Sequence, residues 1–358
     1  MRAWRKLIVS SVLLVTAVAL AGTVASAGSA GDKAGPSGTL RMFGYEDAFV
    51  PQVLGPLQKL YPDLSLKTAT FSSNDEAVAK IRGGFKTDVI NICTDDTARL
   101  IRLGMIQPID TSKVRAWKTL FPAFKRLPGV VQNGKVWMVP VDGGTGGILY
   151  NPSRTKPVTT WKQLFERPDL KGKVALEDSA ESTLAVAGFA LGYKDPYKMT
   201  DAQLDKVRDY LQAHRSQIRT FYACDADFLN LYKSHEIDAG FAYHDYRVTA
   251  ARAGTPGKYS TANGGLAWFC GWGIAKGAED LDAAYAALNY YASPTPQKYY
   301  GSSYTYMVSN PKTIAGLKPA LVRQIGLDHP ERLMNLIAFN LPPNYDKWLQ
   351  IYTQLKAS

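Results

Sequence analysis

The chain has 358 residues, of which 46% are hydrophobic and 20% charged, and its formal net charge is +11. That length exceeds what one compact core supports, so we expect two domains, and three cysteines are too few for a disulfide-built scaffold. Lys and Arg are scattered along the sequence, which favours a generally basic protein over one that binds nucleic acid.

Residues 1–27 carry the features of an export signal. Three basic residues fall among the first six, an apolar run covers residues 7–21, and Ala25-Ser26-Ala27 supplies the small residues that signal peptidase recognises. The run is shorter than the about 20 apolar residues of a transmembrane anchor. We therefore expect cleavage before Gly28 and export of a soluble chain to the periplasm, which argues against a cytosolic enzyme driven by nucleotides.

After a flexible lead at residues 28–38, strand and helix signals alternate. Alternating apolar residues predict strands, and apolar residues at helical spacing behind a polar capping residue predict helices. The predicted order is strand 39–43, helix 49–61, strand 64–68, helix 73–81, strand 87–92 and helix 94–104. This βαβα order predicts a mostly parallel sheet with helices on both faces.

The same alternation returns after Pro140. Further strands are predicted at 146–151, 173–176, 237–243 and 271–275, and further helices at 161–165, 179–191, 201–214, 280–292 and 345–356. Two α/β lobes of similar size predict a hinged clamp around a ligand cleft. Ligands bind beyond the carboxyl ends of strands in open parallel sheets, so we expect the cleft to be lined by residues 44–49, 92–96, 142–146, 177–182, 243–246, 266–272 and 302–307.

No motif for catalysis is present in the sequence, which lacks G-x-S-x-G, H-E-x-x-H, a phosphate-binding loop and C-x-x-C. The glycine-rich residues 143–147 predict a hinge or a close backbone approach. Of the four histidines, only His244 follows a predicted strand closely enough to be a candidate for ligand contact. The strand ends carry aromatic residues instead, and aromatic faces hold organic cations or stack on sugars and planar groups. They are Tyr45, Tyr243, Trp268, Phe269, Trp272, Tyr304 and Tyr306.

Several runs of residues, in this order and spacing, resemble those of bacterial extracellular solute-binding proteins, above all the spermidine/putrescine-binding group. The runs are Gly44-Tyr45-Glu46-Asp47, residues 104–110, Val139-Pro140, Gly144-Thr145, residues 149–151, 161–165, 170–173 and 253–256, and Gly264-Gly265-Leu266-Ala267-Trp268. The resemblance implies the two-lobed, type II periplasmic-binding-protein fold, with mostly parallel sheets flanked by helices and a ligand cleft between the lobes. It implies one lobe of residues 39–141 plus about 268–310, and another of residues 142–267 plus about 311–358.

The resemblance also implies a function. Such a chain is a monomer without enzymatic activity or cofactor, which captures a small amine and delivers it to an inner-membrane ABC permease. The family's cleft residues carry over by position to this sequence. The expected ligand-binding residues are Tyr45, Asp47, Cys93, Thr94, Asp95, Ser179, Ser182, Tyr243, Asp245, Trp268, Cys270 and Tyr304.

Some of these positions depart from the family pattern. An acidic pair of the family becomes Ser179 and Ser182, and a cleft aspartate becomes Cys270. Losing carboxylates weakens the charge compensation that a buried ammonium needs. The alternatives are therefore a smaller amine, or an uncharged or planar ligand. We expect Trp268 and Tyr243 to be the main anchors. The remaining acids, which tune selectivity, are Asp47, Asp95 and Asp245, with Asp142 and Glu181 behind them.

The three cysteines, Cys93, Cys224 and Cys270, fall on segments that border the expected cleft. They could be small fillers, or Cys93 and Cys270 could form a disulfide in an oxidising compartment. They could also capture a soft metal or a thiol ligand. The last interpretation gives the rival function, a thiol-based metal carrier or secreted enzyme that uses the cysteines with His244.

Overall fold

The computed structural model describes residues 35–262 and 265–358. The predicted export signal, most of the predicted lead and Gly264 of the last resemblance run lie outside the described residues. In the part that is described, every helix is too short or too polar to cross a bilayer.

The strands are β1 (Gly38–Gly44), β2 (Leu64–Thr70), β3 (Val89–Cys93), β4 (Ile106–Gln107), β5 (Val131–Gln132), β6 (Lys135–Val136), β7 (Val139–Tyr150), β8 (Val174–Glu177), β9 (Ile218–Tyr222), β10 (Ala239–Tyr243), β11 (Lys258–Ser260), β12 (Leu266–Ala275), β13 (Met307–Val308) and β14 (Ile337–Ala338). Five strands, β1, β2, β3, β8 and β10, begin and end close to the predicted positions.

Helices fill most of the intervals between strands. They are α1 (Pro51–Leu60), α2 (Asn74–Arg82), α3 (Thr94–Arg102), α4 (Pro122–Lys125), α5 (Trp161–Glu166), α6 (Ala180–Ala190), α7 (Asp201–Ala213), α8 (Asp225–Lys233), α9 (His244–Arg252), α10 (Leu281–Tyr291), α11 (Pro294–Tyr299), α12 (Pro311–Ile314), α13 (Pro319–Gln324) and α14 (Tyr345–Ala357). A π-helical turn, Tyr300–Tyr304, follows α11, and single 3₁₀ turns include Glu46–Phe49 after β1.

Helix starts follow the predicted capping chemistry, in which a side-chain oxygen accepts from a free N–H of the first turn. Ser73 accepts from Glu76 N at the start of α2, and Ser179 accepts from Ser182 N at the start of α6. Thr160 and Thr200 form reciprocal capping boxes at α5 and α7. These caps fix where each helix leaves its strand, and therefore which residues lie at the strand ends.

The main sheet is mixed, and its two long central strands run antiparallel. The strand order is β2-β1-β3-β12-β7-β10-β8-β9. On one side β1 pairs in parallel with β2 and β3, and on the other side β8 pairs in parallel with β9 and β10. The central pair β12 and β7 is antiparallel, as are the pairs β3 with β12 and β7 with β10. The sequence predicted the alternation of strands and helices, although not β9. The predicted mostly parallel pairing holds on the two outer sides of the sheet, whereas the three central pairs are antiparallel.

Buried apolar side chains form two clusters rather than one. The first cluster draws on residues 40–141 and 267–338, and the second on residues 148–250, Leu266 and residues 339–355. Strands β7 and β12 pass from one cluster to the other. The division into two lobes stays a prediction, but residues 317–338, which we expected in the second lobe, pack within the first cluster.

Strands β7 and β12 are longer than predicted, because glycine does not interrupt them. Residues 142–145 and 266–270, expected in loops that line the cleft, belong to the two strands, and β7 begins earlier still, at Val139. Glycine is needed there because the partner strand approaches closely. A Cβ atom at Gly271 would overlap the Val139 carbonyl and lie 2.8 Å from Pro140 Cα, at a register shift between Cys270 and Gly271.

We predict that Gly271→Ala lowers the free energy of unfolding by about 1–3 kcal/mol, the usual cost of overpacking, because the clash is with backbone that cannot rotate away. Urea denaturation of the purified variant measures this loss. Gly277→Ala is the matched control, since a Cβ atom there meets nothing within 4 Å, and its stability should stay within about 0.5 kcal/mol of the parent. Equal stability of the two variants would contradict the prediction.

Candidate ligand-binding cleft

Four strand ends from the two sides of the sheet bring polar side chains to one region. On the first-cluster side, β1 leads into Tyr45 and Asp47, and β3 leads into Asp95 at the start of α3. On the second-cluster side, β8 ends at Glu177, and β10 leads into Asp245 at the start of α9. These side chains influence each other's pKa across the sheet, so the predicted cleft residues of both sides lie near one another.

Three aspartates form the Asp47 group, which consists of Asp47, Asp142 and Asp245. Asp142 lies on β7 and is 7% exposed, and its pKa is raised well above the ordinary value by burial and by the nearby Asp47. Burial raises the pKa of Asp47 to about 6, although a hydrogen bond from Tyr306 opposes this shift. Burial, with the negative charges of Asp225 and Asp47, raises the pKa of Asp245 to about 7. The three carboxyl groups therefore repel one another when ionised.

A second set of acids forms the Asp95 group, which consists of Asp95, Asp96, Glu177 and Glu181. Burial, Asp96 and Glu181 raise the pKa of Asp95 to about 7. Burial also raises the pKa of Glu177, while hydrogen bonds from Ser182 and Tyr243 oppose that shift. This group too contains acids from both clusters, since Asp95 follows β3 and Glu181 lies in α6.

Hydrogen bonds hold the Asp95 group in place but leave acceptor capacity unused. Asn74 donates to Asp95 Oδ2 at 2.9 Å and accepts from the Tyr45 hydroxyl at 2.9 Å. Tyr243 donates to Glu177 Oε1 at 2.9 Å. Asp95 Oδ1 is buried and has no hydrogen-bond partner among the described residues. A buried acceptor without a donor is costly, so this oxygen is a candidate to accept a hydrogen bond from a ligand.

Most of these acids have no ion-pair partner among the described residues. The structure pairs none of Asp47, Asp142, Asp245, Asp95 and Glu177 with a described Lys or Arg side chain. Asp96 is the exception within the two groups, with Arg99 at 3.5 Å. Burial lowers the pKa of His244 to about 4, and Arg247 adds to this effect, so His244 is neutral near pH 7. Arg247 is half-buried, and its Nε has no hydrogen-bond partner in the described ranges. The region therefore holds several acids whose raised pKa values leave them partly protonated near pH 7, with one positive side chain nearby.

Aromatic rings adjoin the Asp47 group. The Trp268 indole lies over Gly144, where a Cβ atom would come within 2.6 Å of the indole nitrogen. Tyr306 meets Trp268 edge to face at 4.7 Å between ring centroids and stacks on Tyr304 at 5.2 Å. Thr305 between the two tyrosines has a left-handed backbone with φ 62°. These rings can face a bound cation through their π surfaces.

Cys93 and Cys270 form a disulfide, as one of the sequence-based alternatives proposed. They are register partners of the antiparallel strands β3 and β12. The alternatives of free fillers and of a soft-metal site are wrong for this pair, because neither sulfur is a thiolate. Cys224 is a free, exposed thiol at the start of α8. Within the described ranges no three His, Cys, Asp or Glu side chains are arranged to hold a metal, so the thiol-based carrier or enzyme is not supported.

The remaining predicted site residues have structural partners of their own. Ser179 caps α6 and donates to Glu181 at 3.0 Å, and Ser182 is buried beneath it. Thr94 donates to the Phe339 carbonyl at 3.4 Å, which joins the first cluster to the second. Tyr304 is half-buried beside Tyr306. Ligand contact by these residues stays a prediction.

Sequence reasoning missed Glu177, Asp96 and Asn74 as members of the site. Glu177 is the last residue of β8 and fell within the expected cleft segment 177–182. Asn74 is the first residue of α2, and its side chain bridges Tyr45 and Asp95. The signal for Glu177 was its position at a strand end, whereas nothing in the sequence placed Asn74 beside Asp95.

Comparison with known proteins gives a family match. The sequence model described as bacterial extracellular solute-binding protein matches residues 55–320. The putrescine-binding periplasmic protein SpuD of Pseudomonas aeruginosa (strain UCBPP-PA14) is 26% identical over 299 residues, which cover 78% of this chain and 79% of that protein. The putrescine-binding periplasmic protein PotF of Escherichia coli K12 is 25% identical over 318 residues, which cover 83% of this chain and 84% of that protein.

Solved structures show the same fold. A putative spermidine/putrescine ABC transporter protein from Listeria monocytogenes has a TM-score of 0.78 at 22% identity, covering 89% of this chain and 99% of that chain. The binding protein MotA from A. tumefaciens B6, solved with glucopine, has a TM-score of 0.73 at 19% identity, covering 89% and 99%. These likenesses confirm the predicted α/β fold class and the resemblance found in the sequence.

The raised pKa values predict how stability changes with pH. Asp47, Asp95 and Asp245 have pKa values of about 6, 7 and 7 in the folded chain, above the ordinary 3.8. The folded chain then binds more protons than the unfolded chain between these values, so its free energy of unfolding rises as pH falls from about 8 to about 5. Acids with lowered pKa values, such as Asp88 and Asp178, are still ionised in this range.

Urea denaturation of the unliganded protein at several pH values tests this expectation. Asp245→Asn should stabilise the protein at pH 8 by about 1 kcal/mol or more, because one pKa unit corresponds to about 1.4 kcal/mol, and should flatten the pH profile. Asp63→Asn, at an exposed aspartate, should leave the profile unchanged. A parent protein that is most stable at pH 8 would contradict the prediction.

Proposed function

Because the chain belongs to the bacterial extracellular solute-binding proteins, we propose that it is the periplasmic substrate-binding component of an ABC importer. It captures a small organic amine between two lobes and hands it to the inner-membrane permease. The observation that carries this proposal is the set of five buried or half-buried carboxyl groups that no described Lys or Arg neutralises. Putrescine and spermidine, named for relatives, are the first candidates.

The charge of the cleft selects the chemistry of its ligand. Like charges drawn from both clusters oppose closure of an empty cleft, and ionised carboxylates in a poorly solvated site are costly without a partner. An ammonium group supplies both the missing charge and hydrogen-bond donors. A ligand with an amine at each end can serve the Asp47 group and the Asp95 group together.

The aromatic walls complete the site. Trp268, Tyr306 and Tyr304 present π surfaces next to the Asp47 group, and Tyr45 and Tyr243 stand beside the Asp95 group through their hydroxyl contacts. Such faces attract alkylammonium groups and exclude water from the carboxylates. Together, the rings and acids favour an organic amine over a metal ion or a sugar.

We propose that the two lobes close about strands β7 and β12, which pass from one cluster to the other and link the clusters covalently nearest the cleft. We assign residues 339–358 to the second lobe. Contacts that join the two sides include Thr94 with Phe339 and Arg252 with the Ser303 carbonyl at 3.2 Å. We assign residues 311–338 to the first lobe, since their buried side chains pack there. An exported, non-catalytic monomer is the form in which we expect the chain to act.

Binding calorimetry with putrescine and spermidine tests the roles of acids and aromatic residues. The unpaired acids change the earlier expectation that they only tune selectivity. Asp245→Asn should weaken binding at least about 30-fold, because a lost charge partner in a buried site costs about 2 kcal/mol or more. Trp268→Ala should weaken it to a similar extent. Asp63→Asn is the control. Unchanged affinity in both cleft variants would overturn the proposed site.

Small-angle X-ray scattering tests the clamp. Saturating amine should reduce the radius of gyration, because the ligand removes the repulsion that opposes closure. A neutral diol of the same length should leave the radius unchanged. Loss of compaction in Asp245→Asn at the same amine concentration would tie closure to charge. An unchanged radius at calorimetrically confirmed saturation would count against hinge motion.

A further inference from the structure

One face of the first cluster carries positive charge that the ligand cleft does not use. Residues 111–141 contain six Lys or Arg and residues 283–327 contain four, and neither segment contains Asp or Glu. All of these basic residues except Lys125 are exposed. This basic face consists of Lys113, Arg115, Lys118, Lys125, Arg126, Lys135, Lys298, Lys312, Lys318 and Arg323.

Hydrogen bonds hold the two segments side by side. The Asn289 side chain accepts from Arg115 N at 2.8 Å and donates to the Lys113 carbonyl at 2.8 Å. Farther along, Phe121 N donates to the Ser309 carbonyl at 2.9 Å. Two stretches that are far apart in sequence therefore present their basic residues on adjoining surfaces.

Acidic side chains in the described ranges form no ion pairs with this basic face. The ion pairs of the chain involve other basic side chains, for example Arg41 with Asp88, Arg154 with Asp238 and Arg208 with Asp205. Four aspartates border the two segments in sequence but do not interrupt them, namely Asp110, Asp142, Asp282 and Asp328. The positive charge is thus available to an external partner.

The composition of the face fits a lipid surface better than a protein. Seven of its ten basic residues are lysine, which is depleted at protein–protein interfaces, whereas Arg with its planar fork is enriched there. Half-buried Trp117 and Trp137 lie within the same segments, and the Lys125 ammonium sits over the Trp117 ring at 6.0 Å. Tryptophan and lysine together are typical of the boundary between membrane and water.

We infer that the basic face docks the protein on the anionic phospholipid surface of a membrane. The attraction is electrostatic, depends on many weak contacts and needs no defined pocket. It is independent of the ligand cleft and of the nature of the ligand. Docking would confine the protein to the layer of solution next to the membrane, where an importer's permease resides.

Vesicle flotation tests the inference with the purified protein. Phosphatidylglycerol vesicles should bind it at about 0.05 M salt and release it at about 0.5 M salt, because the Debye length shortens several-fold. Phosphatidylcholine vesicles should not bind it. The triple variant Arg115→Glu/Lys118→Glu/Arg126→Glu should bind phosphatidylglycerol at least about tenfold more weakly, and its thermal unfolding and amine binding show that it is folded.

A matched control separates the face from the net charge of the chain. Lys171→Glu/Lys194→Glu/Lys206→Glu changes the charge equally at exposed sites elsewhere and should keep vesicle binding within about twofold of the parent. Equal loss in both triple variants would overturn the inference. So would absence of binding to phosphatidylglycerol at low salt, or binding to acidic proteins or nucleic acid without binding to vesicles.

Discussion

The rest of the structure depends on the antiparallel pairing of β7 with β12, which connects the two clusters. Val139 and Val141 at one end of β7 are buried in the first cluster, and Ile148 and Leu149 at the other end in the second. The pairing is close because glycines on one strand lie under aromatic rings of the other, as Gly144 lies under Trp268. This close pairing keeps the two strands in a fixed register beneath the candidate site, and any closure of the kind we propose would move the strand ends on either side of it.

The paired strands β7 and β12 also position one of the acids of the candidate cleft. Asp142 is a buried acid on β7, and Asp47 lies close enough to act on both Asp142 and Asp245. On the closure that we propose, ionised acids of the two sides would repel one another more strongly as the sides approach, and a bound ammonium would offset that repulsion. The raised pKa values of these acids come first from burial and then from neighbouring negative charge.

The sequence was sufficient to predict most helices and outer strands, because their periodicity and capping residues are local. Ser73 caps α2 as predicted, and Ser179, expected as a ligand contact, caps α6. Local signals failed at residues 142–145 and 266–270, where loops were expected but the residues belong to β7 and β12. They also failed at Asn74, whose bridge between Tyr45 and Asp95 depends on how two strand ends meet.

The site was harder to predict than the fold for a related reason. The substitutions at Ser179, Ser182 and Cys270 indicated an acid-poor cleft, since position along a strand end does not reveal which neighbouring acids converge. Asp142 was among the expected acids and Glu177 lay in an expected cleft segment, but only the folded chain shows that Asp142 lies near Asp47 and that Glu177 accepts from Tyr243. Such contacts join residues that are far apart in the sequence, so local sequence signals do not reveal them.

The disulfide between Cys93 and Cys270 affects how stable the chain is before and after the export that we propose. It closes a loop with a sequence separation of 177 residues, and the chain-entropy model gives such a cross-link about 5 kcal/mol of stabilisation. The bond does not persist in a reducing cytoplasm, so a newly made chain lacks that contribution there. On the export route that we propose, the reduced chain would therefore be less stable before translocation than the oxidised chain after it.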